Sequence, residues 1–189
     1  MKNEPVIIVS GLPRSGTSLV MQMLEQGGVE AVTDNVRKPD KDNPRGYYEL
    51  QKTLSLEEDN SWLHEMRGKA VKVVSPLLYD LLFSEKFKVL FVQRDIREIL
   101  ASQAAMLGEG IEEERGDDEM AAAFSKHLAM VLDWLHRQSN MEVLTINYKG
   151  LIAAPEEGAG IMNEFLGGGL DEAAMARAVD PTLYRRRLS

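Results

Sequence analysis

The sequence predicts an α/β fold, a three-layer α/β/α domain around a mostly parallel central sheet. Three observations lead there. Short apolar runs rich in β-branched residues alternate along the chain with segments of helical periodicity. The first such run, Val6 to Val9, leads straight into a glycine-bounded loop and then a helix-like segment. The length, 189 residues, is that of a single domain, 1–189, able to bury a core without staples.

Each element follows from its own residues. Pro5 to Ser10 reads as a buried strand and Gly11 to Gly16 as a loop. Ser15 to Gln26 reads as a helix, with Leu19, Val20, Met23 and Leu24 on one face and Gly27-Gly28 as its stop. Val29 to Val32 is a second short strand. Thr33 to Gly46 is polar, holds Pro39 and Pro44, and reads as a long loop of the kind that carries function. Tyr48 to His64 reads as helical. Ala70 to Val74 is a strand, followed by a helix from Pro76, since proline suits a first helical turn. Lys88 to Gln93 is another strand. Ile96 to Leu107 is a helix with Ile99, Leu100, Gln103, Met106 and Leu107 in a stripe.

Gly108 to Glu119 is acidic and punctuated by glycine, so a mobile loop is expected there. Met120 to Ser139 is a long amphipathic helix carrying Phe124, Leu128, Val131, Leu132 and Leu135. Glu142 to Asn147 is a strand, and Pro155 to Leu166 a helix ended by Gly167-Gly168-Gly169. A short helix from Asp171 to Val179 precedes the basic Tyr184-Arg185-Arg186-Arg187.

Composition narrows the function. Lys and Arg number 22 against 30 Asp and Glu, a net charge of -8. That argues against nucleic acid or an anionic membrane as partner, while leaving room for a local basic pocket. The absence of cysteine removes disulfides, thiolate zinc sites and a thiol nucleophile. No run approaches the roughly 18 apolar residues of a membrane span, and Val6 to Val9 is too short for a signal-peptide core. A cytoplasmic location is expected. His64, His127 and His136 are scattered, the last two on the long helix where solvated or half-buried positions are expected. No His, Asp and Glu cluster has metal-ligand spacing, so no metal is expected.

The strongest chemical signal is Gly11-Leu12-Pro13-Arg14-Ser15-Gly16-Thr17-Ser18. Glycine lets successive backbone N–H groups turn inward, and the helix that follows adds its positive end, so the segment suits a phosphate-like anion. Arg14 supplies a fork of charged donors, and Thr17 and Ser18 supply hydroxyls. As plain local structure the same residues make a tight strand-to-helix turn capped by Ser15 or Thr17. The strand–loop–helix setting is that of a P-loop NTPase-like fold. Yet Thr17 stands where a triphosphatase loop has lysine, and the positive charge has moved to Arg14.

A loop with this displaced charge, Pro13-Arg14-Ser15-Gly16-Thr17-Ser18, resembles the 5′-phosphosulfate loop of the sulfotransferase family, in a small bacterial-type form. The resemblance implies 3′-phosphoadenosine 5′-phosphosulfate (PAPS) as co-substrate and 3′-phosphoadenosine 5′-phosphate (PAP) as product. It implies transfer of a sulfuryl group to a hydroxyl or amine on a small-molecule or glycan acceptor. It places the 3′-phosphate on Arg94, at the end of the Val89–Gln93 run, and on Ser102 eight residues later. Read alone, Arg94 makes a surface ion pair and Ser102 is an exposed helix serine. Asp95 with Glu98 reads as a helix cap and capping box. Asp42 to Glu49 resembles a segment of bacterial members. Leu183 to Arg187 resembles the basic end of such chains, which brings Arg185 and Arg186 to the donor; as plain chain they are a solvated tail. Lys72 matches a family lysine and reads equally as a lysine snorkelling from a strand end.

The resemblance runs clearly from Val6 to about Leu107 and weakly beyond. The chain departs from it in lacking large acceptor-binding insertions and the lysine-containing, glycine-rich loop near the C-terminus. Two residues compete as the catalytic base, Glu49 and His64. A carboxylate at Glu49 is also favoured simply by the start of a helix. Two other functions remain open at this stage, a P-loop kinase for a nucleotide or small molecule and a nucleotide-binding domain without transfer activity.

Overall fold

Val6, Ile7, Ile8 and Val9 are all buried, as a strand covered on both faces requires. They begin β1 (Val6–Gly11), which pairs in parallel with β3 (Ala70–Val74) on one side and β4 (Phe87–Gln93) on the other. With β2 (Ala31–Val32) and β5 (Met141–Asn147) the sheet has the order β2-β3-β1-β4-β5, every pair parallel. The chain therefore builds outward in opposite directions from β1, and a crevice opens beyond its C-terminal end. The computed structural model describes residues 4–38, 40, 43, 46–107 and 114–183.

Alternation along the strands assigns the two faces. Ile7 and Val9 of β1, with Leu90 and Val92 of β4, pack against α1 (Thr17–Gln26), α5 (Pro155–Leu166) and α6 (Glu172–Arg177). Val6 and Ile8, with Val89 and Phe91, pack against α3 (Glu114–His136) and three 3₁₀ turns. Val20, Met21, Met23 and Leu24 of α1 are fully buried, worth about 1.5–3 kcal/mol each. α4 (Tyr148–Ala153) joins the first of these faces through Tyr148, Leu151 and Ile152, and α2 (Ile96–Leu107) packs beside α3. The three-layer α/β/α architecture is as the sequence predicts.

Three expectations are corrected. Tyr48 to His64 is not a helix. Residues 46–50 are non-helical, followed by 3₁₀ turns at Gln51–Ser55 and Ser61–Met66. Polar side chains divert the backbone: Thr53 Oγ1 donates to Leu50 O, and Asp59 Oδ1 accepts from both the amide and the hydroxyl of Ser61. The segment from Pro76 is a 3₁₀ turn, Ser75–Asp80, closed by Asn60 Nδ2 donating to Asp80 O. Of the expected mobile loop at 108–119, residues 108–113 lie outside the described residues, but the remainder is helical, because α3 already begins at Glu114. Acidic residues suit a helix N-terminus, and Asp118 is tied to Arg97 of α2 at 3.3 Å. One helix that was not expected is α4, which Asn147 caps by accepting from the Gly150 amide at 2.8 Å. Among the described residues no helix is long and apolar enough to cross a membrane.

Candidate active site at the C-terminal edge of the sheet

The chain leaves β1 at Gly11 and must turn sharply to enter α1. Ser15 N donates to Leu12 O at 3.1 Å to close the turn. Arg14 takes a left-handed conformation, φ 72°, and Gly16 one of φ 106°; for the non-glycine Arg14 that is a strained choice. Glycine is required at 16 for a second reason. A Cβ there would sit 2.3 Å from the Tyr148 ring, and one at Gly11 would sit 2.5 Å from Val92 O. The loop is thus pressed against the ends of β4 and β5. Ser15 is buried and its Oγ has no hydrogen-bond partner. A buried orphan hydroxyl between a strand end and a helix N-terminus is what a cradle for an anion presents. Pro13 is exposed at the loop's tip. Ser18 Oγ is turned to Tyr47 O at 3.2 Å, away from the role of loop donor.

Arg14, Arg94 and Ser102, separated by up to 88 residues, meet here. Arg14 Nε donates to Ser102 Oγ at 3.0 Å, and Arg94 Nη1 donates to Arg14 O at 3.2 Å. Arg94 is not a surface pair. Its side chain is 9% exposed and bound through Nε to Glu98 Oε2 at 2.9 Å, one helical turn on, and Glu98 is itself 5% exposed. The guanidinium also lies over the Tyr148 ring, 4.9 Å from its centroid, and burial pushes the Tyr148 phenol upward in pKa. Asp95 does cap α2, accepting from the Arg97 and Glu98 amides at 2.8 and 3.2 Å. The reciprocal half of the expected capping box is replaced, since Glu98 serves Arg94.

Glu98 and Tyr148 are site residues that the sequence reading missed. Glu98 carried a signal, its i,i+4 spacing from Arg94. Tyr148 had only its place at the end of a strand, which says nothing of a neighbour in space.

On the β3 side lies a second group. Lys72 is 9% exposed and 3.7 Å from Glu49 Oε1, and its Nζ donates to Tyr47 O. The same carboxylate oxygen is 3.1 Å from Arg37 Nη1, and the Arg37 guanidinium stacks 3.4 Å above the Tyr47 ring. The Tyr47 hydroxyl donates to Asp40 at 2.8 Å. Burial brings the Lys72 ammonium down to a pKa of about 8; Glu49 opposes the shift, and Arg37 and Arg14 add to it. Tyr47 O accepts from both Ser18 and Lys72, which joins this group to the phosphate loop.

His64 is placed elsewhere. It is exposed, its ring held by Ser61 O, and it stands three residues before Arg67, which bridges Val6 at the opposite end of β1. His127 is half-buried with Nε2 2.8 Å from Ser75 Oγ, and burial lowers its pKa. His136 is exposed on the last turn of α3. Arg185 and Arg186 lie outside the described residues, as do Asp42, Pro44 and Arg45 of the Asp42–Glu49 segment. Among the described residues no three His, Asp or Glu side chains gather as a metal site would need.

Comparisons with known proteins bear on the fold and the family. No curated protein sequence matches the chain. Among solved structures it is similar to a sulfotransferase domain from the curacin biosynthetic pathway, with 13% sequence identity and a TM-score of 0.53, over 100% of this chain and 93% of that one. At that identity the likeness establishes the fold, with its P-loop-like arrangement. The family model of the sulfotransferase domain matches residues 4–185. With that model matching nearly the whole chain, the protein belongs to the sulfotransferase domain family.

Proposed function

We propose that the protein transfers a sulfuryl group from PAPS to a hydroxyl or amine of a small-molecule acceptor. The observation that carries this reading is the bonded unit of Arg14, Arg94 and Ser102. One arm belongs to the phosphate loop and the other to the end of β4, so a single nucleotide is gripped at two phosphates. The loop suits the 5′ end through the N-terminus of α1, Arg14 and the orphan Ser15 Oγ. Arg94 and Ser102 suit a 3′-phosphate, which ADP and ATP lack.

Glu49 is the base in this reading. Its carboxylate is 40% exposed beside the loop, held by Lys72 and Arg37. The acceptor oxygen attacks sulfur and its proton passes to Glu49. The bond from sulfur to the bridging phosphate oxygen breaks, and PAP leaves with the electron pair. By analogy with phosphoryl transfer the protein's task is alignment and charge stabilisation, here from Arg14, Lys72 and the loop amides.

Calorimetry with PAP, ADP and ATP, with and without magnesium, tests the donor. PAP binding tightest in the absence of metal supports the reading. A preference for magnesium–ATP overturns it in favour of a kinase. Labelled PAPS with panels of hydroxyl and amine acceptors then tests transfer itself.

A further inference from the structure

Arg94 poses an electrostatic problem. A buried guanidinium bonded at 2.9 Å to a buried carboxylate presents little net charge to a third group. A phosphate dianion set against Arg94 also meets Glu98. Beside them lies a cavity of about 340 Å³ lined by Gln93, Arg94, Asp95, Glu98, Asn147 and Lys149. Its lining holds two cations, Arg94 and Lys149, and two carboxylates, Asp95 and Glu98. Without Lys149 this lining is net negative, and the side chain of Arg14, which is not part of it, is turned to Ser102. Arg94 is committed to Glu98 and to Arg14 O, and Asp95 to the α2 amides. Lys149 is exposed and makes no ion pair among the described residues.

We propose that Lys149 is a donor-binding residue that supplies the cation for the 3′-phosphate of the nucleotide. The inference rests on the donor assignment above. It gives the Arg94–Glu98 pair a division of labour with Lys149. Glu98 holds the guanidinium at a fixed angle, so that its donors give direction, and Lys149 gives the unneutralised charge. A flexible ammonium on the cavity wall closes on a phosphate without disturbing the buried pair. Its position on α4, immediately after Tyr148, also puts it at the junction of β5 with the loop.

The test is calorimetric titration of the full chain with PAP and with ADP. Lys149→Ala is expected to weaken PAP by about tenfold, the scale of one charge-assisted bond, and to leave ADP within about twofold, since ADP lacks the group that Lys149 contacts. Lys149→Glu is expected to lose more, and Lys149→Arg to retain most of the wild-type preference. The residue is exposed, so folding is expected to survive each change, and a thermal melt checks it. Wild-type preference for PAP that persists unchanged in Lys149→Ala overturns this inference alone. A wild type that binds PAP and ADP equally overturns the donor assignment, and this inference with it.

Discussion

The side chain of Arg94 hydrogen-bonds the backbone oxygen of Arg14, 3.2 Å away and 80 residues distant in sequence. The end of β4 thereby holds the phosphate loop by its main chain, while Arg14's own side chain reaches on to Ser102. The phosphate loop and the end of β4 share one set of bonds, and a change in either is felt by the other.

Arg14→Ala removes the charge and the bond to Ser102 together. Charge-assisted bonds are worth roughly 1.5–3 kcal/mol each, so PAP affinity is expected to fall about tenfold or more. Calorimetry on the folded variant checks it; wild-type affinity would remove Arg14 from the site.

Arg94→Ala is expected to do two things. The preference for PAP over ADP collapses toward unity. Glu98, a buried carboxylate, loses the guanidinium bonded to it at 2.9 Å, so stability is expected to drop, by up to about 3–5 kcal/mol. Arg94→Ala combined with Glu98→Ala should regain part of the stability and none of the selectivity. Recovery of selectivity in the double variant would contradict the assignment.

Glu49→Gln is expected to reduce turnover by 10²–10⁴-fold, the usual scale for removing a base, with PAP affinity nearly unchanged. His64→Ala, remote from the loop, is expected to turn over normally. The opposite pattern would transfer the role to His64.

Gly16→Ala introduces a Cβ 2.3 Å from the Tyr148 ring at a φ of 106°. Both insults act at once, so a loss of a few kcal/mol in stability is expected. Adding Tyr148→Ala relieves the clash but not the backbone strain, and only partial recovery should be seen in chemical denaturation. Full recovery would show that the conformation costs nothing.

Lys72 titrates near pH 8 in the folded protein against an ordinary 10.5. Between those values the unfolded chain holds more protons than the folded one, so stability rises with pH there. The contribution is fully present above about 10.5 and is lost as pH falls through about 8. Lys72→Met has no such dependence. Its stability relative to wild type should therefore decline between pH 8 and 10, by an amount on the order of 3 kcal/mol. Parallel curves for the two proteins would rule out the depressed lysine.

Much of this was legible in the residues. β1, β3 and β4 announced themselves because each is mostly buried and rich in β-branched residues, and α1 and α5 because glycine ends both. Arg94 and Ser102 were read as one pair and Arg14 apart from them, but that Arg14 bonds to both is a property of the β1–β4 pairing, which no local spacing encodes. Tyr48 to His64 misled for a physical reason. Its composition suits a helix, while the bonds of Thr53 and Asp59 and the fixing of Tyr47 O from two sides act against one. The Lys72–Glu49 contact joins a strand to a loop 23 positions earlier, and only the fold brings them together.

The joint at Tyr47 is made by a carbonyl oxygen, an atom common to all twenty amino acids. Replacing the side chain at 47 frees Arg37 of its stacking partner and Asp40 of its hydroxyl, yet leaves Ser18 and Lys72 their shared acceptor. The ring is therefore open to variation as the acceptor varies, whereas the path of the main chain is not. Lengthening the segment between Gly46 and Glu49 by a single residue would move that oxygen and uncouple the wall that carries Glu49 from the loop that carries Arg14.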